Sequence, residues 1–420
     1  MVIRFLVSFL SLNTKIDSIT TNFTQDISII KLNRSILLFL TMISKIKKLI
    51  TAIGLAITVC LTLVFVSLPN FGYAKVFNHG YIGKAQFDIN SKDFALKNKS
   101  GTCKYLFADG HFHPRDFIMQ GSSLQEIAKE TSQNCVDKIL VNSLPLINHW
   151  SDETETRPSY YTDDKSKFYW NSISDIPTFN EYKSLPKQDK EKFYFLINGF
   201  LHFDRGAKEA VLNTIESYKE LPIVGFGEVF GDHDIMSDQM NPPSKINSKA
   251  LDEIYQLAAE KHWFVLFHNN IANRSFKGST QPIYLPKIKE ILNKHQNTTF
   301  IWAHSGIMRN IVVEDLTAIV QQMLNEHSNL YIDISFVLLE NYIMAEGTPS
   351  KKWVELISKN PDRFIFGTDD LGSYKDFADV KKYLPLLDNL KPEVANKVAS
   401  GNLKKLIDIA VSTNISKKSS

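Results

Sequence analysis

From Lys104 onward the chain alternates between two hydrophobic rhythms. Short runs that are almost wholly apolar are separated by longer stretches in which apolar residues recur every three to four positions. The short runs cover residues 105–111, 136–142, 193–199, 223–229, 263–268, 299–304, 330–335 and 363–368. Continuous rather than alternating apolarity predicts strands buried on both faces, as in a parallel sheet. The stretches between them predict helices. Leu124, Ile127, Ala128 and Thr131 mark one apolar face, and Leu285, Ile288, Ile291 and Leu292 a second. A third runs through Leu316, Ile319, Val320, Met323 and Leu324, with Glu314 and Asp315 placed in its first turn, where acidic side chains suit the helix dipole. Eight strands alternating with helices predict an α/β fold, a (β/α)8 TIM barrel over residues 104–420. An open doubly wound sheet is the alternative. It requires a glycine-rich loop after the first strand, and Gly110-His111-Phe112-His113-Pro114 is not one.

Three segments depart from the rhythm. Residues 145–192, after the second strand, form a long polar connection rich in aromatics: Trp150, Tyr160, Tyr161, Phe168, Tyr169 and Trp170. Loops of this length are functional or decorative, so the segment reads either as a cap over a site or as a surface insertion. Residues 75–103 show no periodicity and read as an irregular lead-in. Residues 49–68 form an apolar run without a charge, preceded by Lys45, Lys47 and Lys48 and followed by Gly72-Tyr73-Ala74. Basic, then apolar, then small residues is the pattern of a secretory signal. The run is also long enough to span a bilayer, so residues 1–74 are read as a leader, either a signal peptide or an uncleaved membrane anchor. Met42 is a natural signal start. On this reading the protein is exported, to the periplasm or beyond.

Composition adds little. The 48 basic and 45 acidic residues nearly balance, which gives no argument for nucleic-acid binding. A hydrophobic content of 44% is ample for a large core.

The candidate chemistry gathers where the strands end. The first closes on His111 and His113. Side chains two apart on a strand share a face, so two imidazoles stand together, half of a metal site. The fourth strand closes on Glu228, the fifth on His268, the sixth on His304, and the eighth on Asp369 and Asp370. In a parallel barrel all of these meet at one rim, the rim where such barrels carry their active sites. His262, His295 and His327 sit at helix ends before strands and belong to the opposite rim, where the helix dipole explains them. His149, His202 and His233 follow strands and are candidates for lining the mouth. Arg205, Arg274 and Arg309 follow the third, fifth and sixth strands and are candidate substrate contacts, because a guanidinium grips a carboxylate or phosphate bidentately.

The series His-x-His, Glu, His, His, Asp along eight strands resembles the amidohydrolase superfamily. The closing Phe364-Ile365-Phe366-Gly367-Thr368-Asp369 and the later Ser400-Gly401-Asn402-Leu403 resemble its amidohydrolase-2 branch, which also holds metal-dependent decarboxylases. Gly225-Phe226-Gly227-Glu228 is similar to the fourth-strand signature of TatD-type hydrolases. Many superfamily members carry a carboxylated lysine on the fourth strand; none lies in 223–229, so either Glu228 bridges two metals or the site holds one. The resemblance implies a divalent metal, zinc by preference, in one or two copies. It implies His111, His113, His268, Glu228 and Asp369 as ligands. Asp369 would bind the metal or take a proton from its water, and His304 would polarise a carbonyl or shuttle protons. The activity implied is hydrolysis of a small amide, ester, lactone or phosphoester. Two alternatives stand beside it: non-oxidative decarboxylation or hydration of a carboxylated substrate, and a barrel that only binds ligand.

Of three cysteines, Cys60 lies in the leader. Cys103 and Cys135 precede the first two strands. Neighbouring parallel strands lie about 4.7–4.9 Å apart, which places the two residues within disulfide reach. Two buried thiols are the alternative.

Overall fold

The computed structural model describes residues 96–97 and 101–416, apart from 153–156, 159–165, 234–235, 237–238, 275–278, 346 and 373–377. The leader read from 1–74 and most of the 75–103 lead-in lie outside the described residues. Among the described residues no helix is long and apolar enough to cross a membrane.

The first seven strands are Phe107–His113, Val136–Asn142, Phe193–Ile197, Ile223–Phe230, Phe264–His268, Thr299–Trp302 and Leu330–Asp333. The eighth is split into Phe364–Ile365 and Asp370–Leu371. All neighbours pair in parallel, in chain order. Phe364–Ile365 pairs with the seventh strand and Asp370–Leu371 with the first. One stretch, 364–371, thus supplies both ends of the sheet order, and the curled parallel sheet resembles a (β/α)8 barrel. The first and fourth strands are buried at every position, so neither face of either strand meets solvent. Phe107, Phe193, Phe195, Phe226, Phe264, Phe267, Phe300 and Trp302 all belong to one continuous core.

The helices bury the faces that their spacing marks. In Leu124–Gln133 the buried residues are Leu124, Ile127, Ala128 and Thr131, and Ser123 with Glu126 forms a capping box. Ile288, Ile291 and Leu292 are buried in Leu285–Lys294. In Leu316–Glu326 they are Leu316, Val320, Met323 and Leu324. Glu314 and Asp315 are not in that helix's first turn. Asp315 is its N-cap, with φ 50° and no side-chain cap bond, because the chain enters the helix through a left-handed residue.

The 145–192 connection is not a plain loop. Leu146–Asn148 and Phe168–Trp170 pair antiparallel, and the helices Asp175–Ser184 and Lys187–Lys190 follow. Phe168 packs with Phe117, Leu144, Phe230, Met236 and Met240 in a second apolar cluster. The buried Asp175 carboxylate accepts the Asn198 and Gly199 N–H groups at 3.0 and 2.7 Å. This fastens the excursion to the end of the third strand, and burial pushes the Asp175 pKa up to about 6.

Cys103 and Cys135 are bonded, with Cα atoms 5.8 Å apart. The bridge closes a 32-residue separation. A loop of that size restricts the unfolded chain by about 3–4 kcal/mol. Reduction, or the double change Cys103→Ser with Cys135→Ser, is therefore expected to lower the urea midpoint of the oxidised protein. An unchanged midpoint would show that the bridge contributes nothing to stability.

Candidate metal centre

The site is assembled by the C-terminal ends of the strands. Two of them carry a one-residue bulge. Between Phe226 and Val229 the fourth strand advances three residues while its neighbour advances two, from Val265 to Phe267. The first strand does the same between Asp109 and Phe112. A bulge re-aims the side chains beside it, here Glu228 and His111. Gly227, at the bulge, has φ 137°, and a Cβ there would meet the Leu266 carbonyl oxygen at 2.4 Å. Only glycine fits.

His111, His113 and Asp369 form one group of possible ligands, and Glu228, His268 and His304 another. Within each group the ligand atoms lie within 4.8 Å of one another. The hydrogen bonds fix which nitrogen of each ring faces the centre. His111 Nδ1 lies 2.8 Å from Asp333 Oδ2, and His113 Nδ1 lies 3.1 Å from the Asn142 carbonyl oxygen. Both partners only accept, so both Nδ1 atoms donate and both Nε2 atoms carry lone pairs. Those two Nε2 atoms stand 3.2 Å apart, with Asp369 Oδ1 at 3.3 and 3.2 Å from them. His268 is held the other way round. Its Nε2 donates to Asn270 Oδ1 at 2.9 Å, which leaves the Nδ1 lone pair 3.3 Å from Glu228 Oε1. His304 Nδ1 donates to the Ile307 carbonyl at 2.7 Å, so its Nε2 lone pair points inward, 3.7 Å from Asp369 Oδ2.

The centre is thus a set of bases facing one another: four imidazole lone pairs and two carboxylates, all buried except Asp369, whose side chain is 17% exposed. Among the described residues Glu228 Oε1, which is buried, has no hydrogen-bond partner. Such groups repel unless a cation lies among them, and buried carboxylates are paired or bind metals. The donor set fits a divalent ion of the kind imidazole and carboxylate hold.

Without a metal ion the two carboxylates draw a proton to His111 instead, a second sign that the centre calls for positive charge. Burial depresses the His111 pKa, but the Asp369 and Glu228 carboxylates and the bond to Asp333 outweigh it and hold the imidazole well above its ordinary value. Burial would raise the Glu228 pKa, yet His111 and His268 hold it well below the usual carboxylate range. Burial lowers His304 to about 4, so it is neutral near pH 7. With Nδ1–H committed to Ile307, a neutral His304 offers a lone pair and no inward proton.

The three arginines do not line the cavity at the centre. Arg205 reaches Glu253 at 3.5 Å with its side chain 66% exposed. Arg309 lies over the Phe336 ring. Arg274 follows the fifth strand at a partly buried position outside the cavity wall. Of the mouth histidines, His233 lines the cavity and stacks on His268 with ring centroids 4.2 Å apart. His202 is a structural ring: Nε2 meets Asn198 Oδ1 at 3.0 Å and Nδ1 accepts the Phe230 N–H at 3.3 Å. His149 packs edge-on against Tyr169. His262, His295 and His327 are the C-caps of Lys249–Lys261, Leu285–Lys294 and Leu316–Glu326, far along their strands from the ligand set.

Two carboxylates at the centre have no place in the sequence reading. Asp333, fully buried, holds His111 and accepts from Ser335 N–H at 2.9 Å and Ser335 Oγ at 2.6 Å. Asp109 accepts from the His111 N–H at 3.0 Å and from Thr368 Oγ1 at 2.7 Å, tying the first strand to the eighth. The signal for Asp333 was its position, the end of the seventh strand. Asp333→Asn is expected to weaken zinc affinity about 10–100-fold, the usual cost of losing a carboxylate behind a ligating histidine. Chelator competition measures it; unchanged affinity would show that Asp333 does not orient His111.

Residues 197–409, about half of the chain, match the family model described as amidohydrolase. No curated protein matches the chain. Among solved structures, a zinc-bound amidohydrolase from Burkholderia multivorans is 9% identical, covers 72% of this chain and 99% of its own, and has a TM-score of 0.45. A probable 2-pyrone-4,6-dicarboxylic acid hydrolase from Acinetobacter baumannii is 12% identical over 72% and 99%, at TM-score 0.43. A 4-oxalomesaconate hydratase from Rhodopseudomonas palustris is 12% identical over 75% and 99%, at 0.45. Likenesses this distant carry no weight for activity. The family match, taken with the ligand set at the strand ends, is what places the protein: the chain belongs to the amidohydrolase family.

Proposed function

We propose that the protein is a metal-dependent hydrolase in which a metal-activated water attacks a small amide, ester or lactone. The observation that carries this is the opposition of lone pairs and carboxylates at the strand ends, beside one small cavity. His111, His113 and Asp369 would hold one ion, and Glu228, His268 and His304 a second; zinc suits imidazole with carboxylate. A divalent ion supplies a Lewis acid and lowers the pKa of a water from 15.7 toward about 7. The chain's own groups do the rest. Asp369 has one oxygen toward His111 and His113 and the other toward His304, so it is placed to accept a proton and hand it across the site. His113 and His111 are held in register by the Asn142 carbonyl and Asp333.

Metal analysis of gently purified full-length protein, followed by a panel of amides, esters, lactones, phosphoesters and aromatic carboxylates, tests the reading. One or two divalent ions per chain and turnover of a neutral acyl substrate are expected. Absence of metal, with no uptake of added zinc or manganese, overturns it.

We also propose that the protein is exported. The basic-apolar-small pattern of residues 42–74 and the Cys103–Cys135 bond support this, because such bonds persist in oxidising compartments. A fusion of residues 42–80 to a reporter active only outside the cytoplasm is expected to be active. Two free thiols per mature chain from the native compartment would count against export.

A further inference from the structure

The eighth strand is broken between Ile365 and Asp370, and Asp369 stands in the gap. Pairing with the first strand is regular only beyond it, at Phe112 with Asp370 and His113 with Leu371. Inside the gap a side chain does part of the work of the backbone ladder. The fully buried Asp109 carboxylate accepts the His111 N–H and the Thr368 N–H through Oδ1, each at 3.0 Å. Its Oδ2 accepts the Thr368 hydroxyl at 2.7 Å. The backbone bonds that remain lie on either side: Gly110 N–H to the Phe366 carbonyl at 2.9 Å and Asp369 N–H to the His111 carbonyl at 2.7 Å.

Thr368 is the joint of this clasp. It is buried, and its hydroxyl both donates to Asp109 and accepts the Asp370 N–H at 3.3 Å. The residue before Asp369 is thereby tied to the first strand, and the residue after it is tied back to Thr368. Between them Asp369 has φ 59°. A non-glycine residue resists the left-handed region and keeps it only where its surroundings enforce it. Here the enforcement has a consequence at the site. The turn sets Asp369 Oδ1 at 3.2 Å from His113 Nε2 and 3.3 Å from His111 Nε2, with Oδ2 3.7 Å from His304 Nε2.

We propose, resting on the metal-centre reading above, that Thr368 is a positioning residue. Its hydroxyl, clasped by Asp109, holds Asp369 in the left-handed turn that aims the carboxylate at the His111 and His113 nitrogens. Thr368 works through Asp369 and not by contact with an ion. A threonine that merely packs between two strands is the alternative, and the two differ in whether Asp369 is needed for the effect.

The test is a double-mutant cycle on full-length protein: wild type, Thr368→Val, Asp369→Asn and the double variant, with zinc affinity and stoichiometry read by chelator competition. Thr368→Val keeps the branched shape and removes the hydroxyl. It is expected to weaken one bound zinc about 10–100-fold, the usual cost of losing a group behind a ligand. Thr368→Ser keeps the hydroxyl and is expected to bind zinc nearly as wild type does. In the Asp369→Asn background the same Thr368→Val change is expected to cost less than about twofold, because residues acting as one unit do not add. Unchanged zinc affinity in Thr368→Val overturns the proposal. So does its full cost in the Asp369→Asn background, or a Thr368→Ser variant as weak as Thr368→Val. If circular dichroism shows that Thr368→Val does not fold, Thr368→Ser and Thr368→Ala, which differ by the hydroxyl alone, carry the same cycle. A wild-type protein that binds no zinc is a separate result and sinks the metal-centre reading, with this proposal.

Discussion

His113→Ala is expected to remove most of the bound divalent metal and to lower turnover by roughly 10³-fold or more, since an unactivated water keeps its pKa near 15.7. The ring is 1% exposed and supplies one of three donors in its group. Its Nδ1–H is committed to the Asn142 carbonyl, so the whole of its remaining basicity is directed at His111 and Asp369. His295→Ala is the control. His295 is also buried and paired, to Asp252 at 2.9 Å, but it caps a helix and faces no ligand. Elemental analysis should show metal lost from the first variant and retained in the second. Equal metal content in both would remove His113 from the ligand set. Circular dichroism separates metal loss from unfolding.

The ligands could be picked out in the sequence because a parallel sheet has a simple grammar. Each strand was an apolar run, and whatever polar residue broke that run at its C-terminal end was carried to the same rim. His111, His113, Glu228, His268, His304 and Asp369 all obey that rule, and the structure brings them within a few ångströms of each other. The same rule applied to Asp333, but a lone aspartate ending Leu330–Asp333 is indistinguishable in sequence from an ordinary turn residue. Its role appears only when His111 is seen to donate to it.

What the sequence could not carry is direction beyond the strand. Arg205, Arg274 and Arg309 follow strands as the histidines do, but loop residues have no fixed period, and none of the three enters the cavity wall. The left-handed backbone at His304, Ser305 and Asp369, with φ of 33°, 53° and 59°, is equally invisible. There the chain leaves the strand path and turns its side chains back over the barrel mouth. In the 145–192 connection, apolar positions are too sparse for a periodicity argument. Yet Phe168 supports the same wall residues, Phe117 and Phe230, that bound the cavity. The excursion thus acts from behind the wall, and no described residue of it lines the cavity.

Asp369→Asn is expected to cost about 10²–10⁴-fold in kcat, the usual worth of a positioned acid–base group, while Asp370→Asn changes kcat by less than about threefold. The two residues are adjacent and both acidic, so the contrast isolates position. Asp369 donates its own N–H to the His111 carbonyl at 2.7 Å, which fixes the turn. Its carboxylate then faces three imidazoles, with His113 at 3.2 Å, His111 at 3.3 Å and His304 at 3.7 Å. Burial would raise its pKa, but His111 and His113 pull it below the ordinary aspartate value, so it is ionised and able to accept a proton. Asp370 lies in the strand that pairs with Phe112 and is partly exposed, and it is not among the residues that form either ligand group. Asparagine is a clean replacement at 369 because it tolerates the left-handed backbone nearly as well as any non-glycine residue. The fold and the hydrogen bond to His111 should survive, and what is lost is charge and proton affinity. Steady-state kinetics with metal content measured on the same samples decides the matter. A large fall in kcat at retained metal would mark Asp369 as the proton acceptor, and a fall that tracks metal loss would mark it as a ligand. Equal losses in the two variants would show that the eighth strand has been placed one residue out of register.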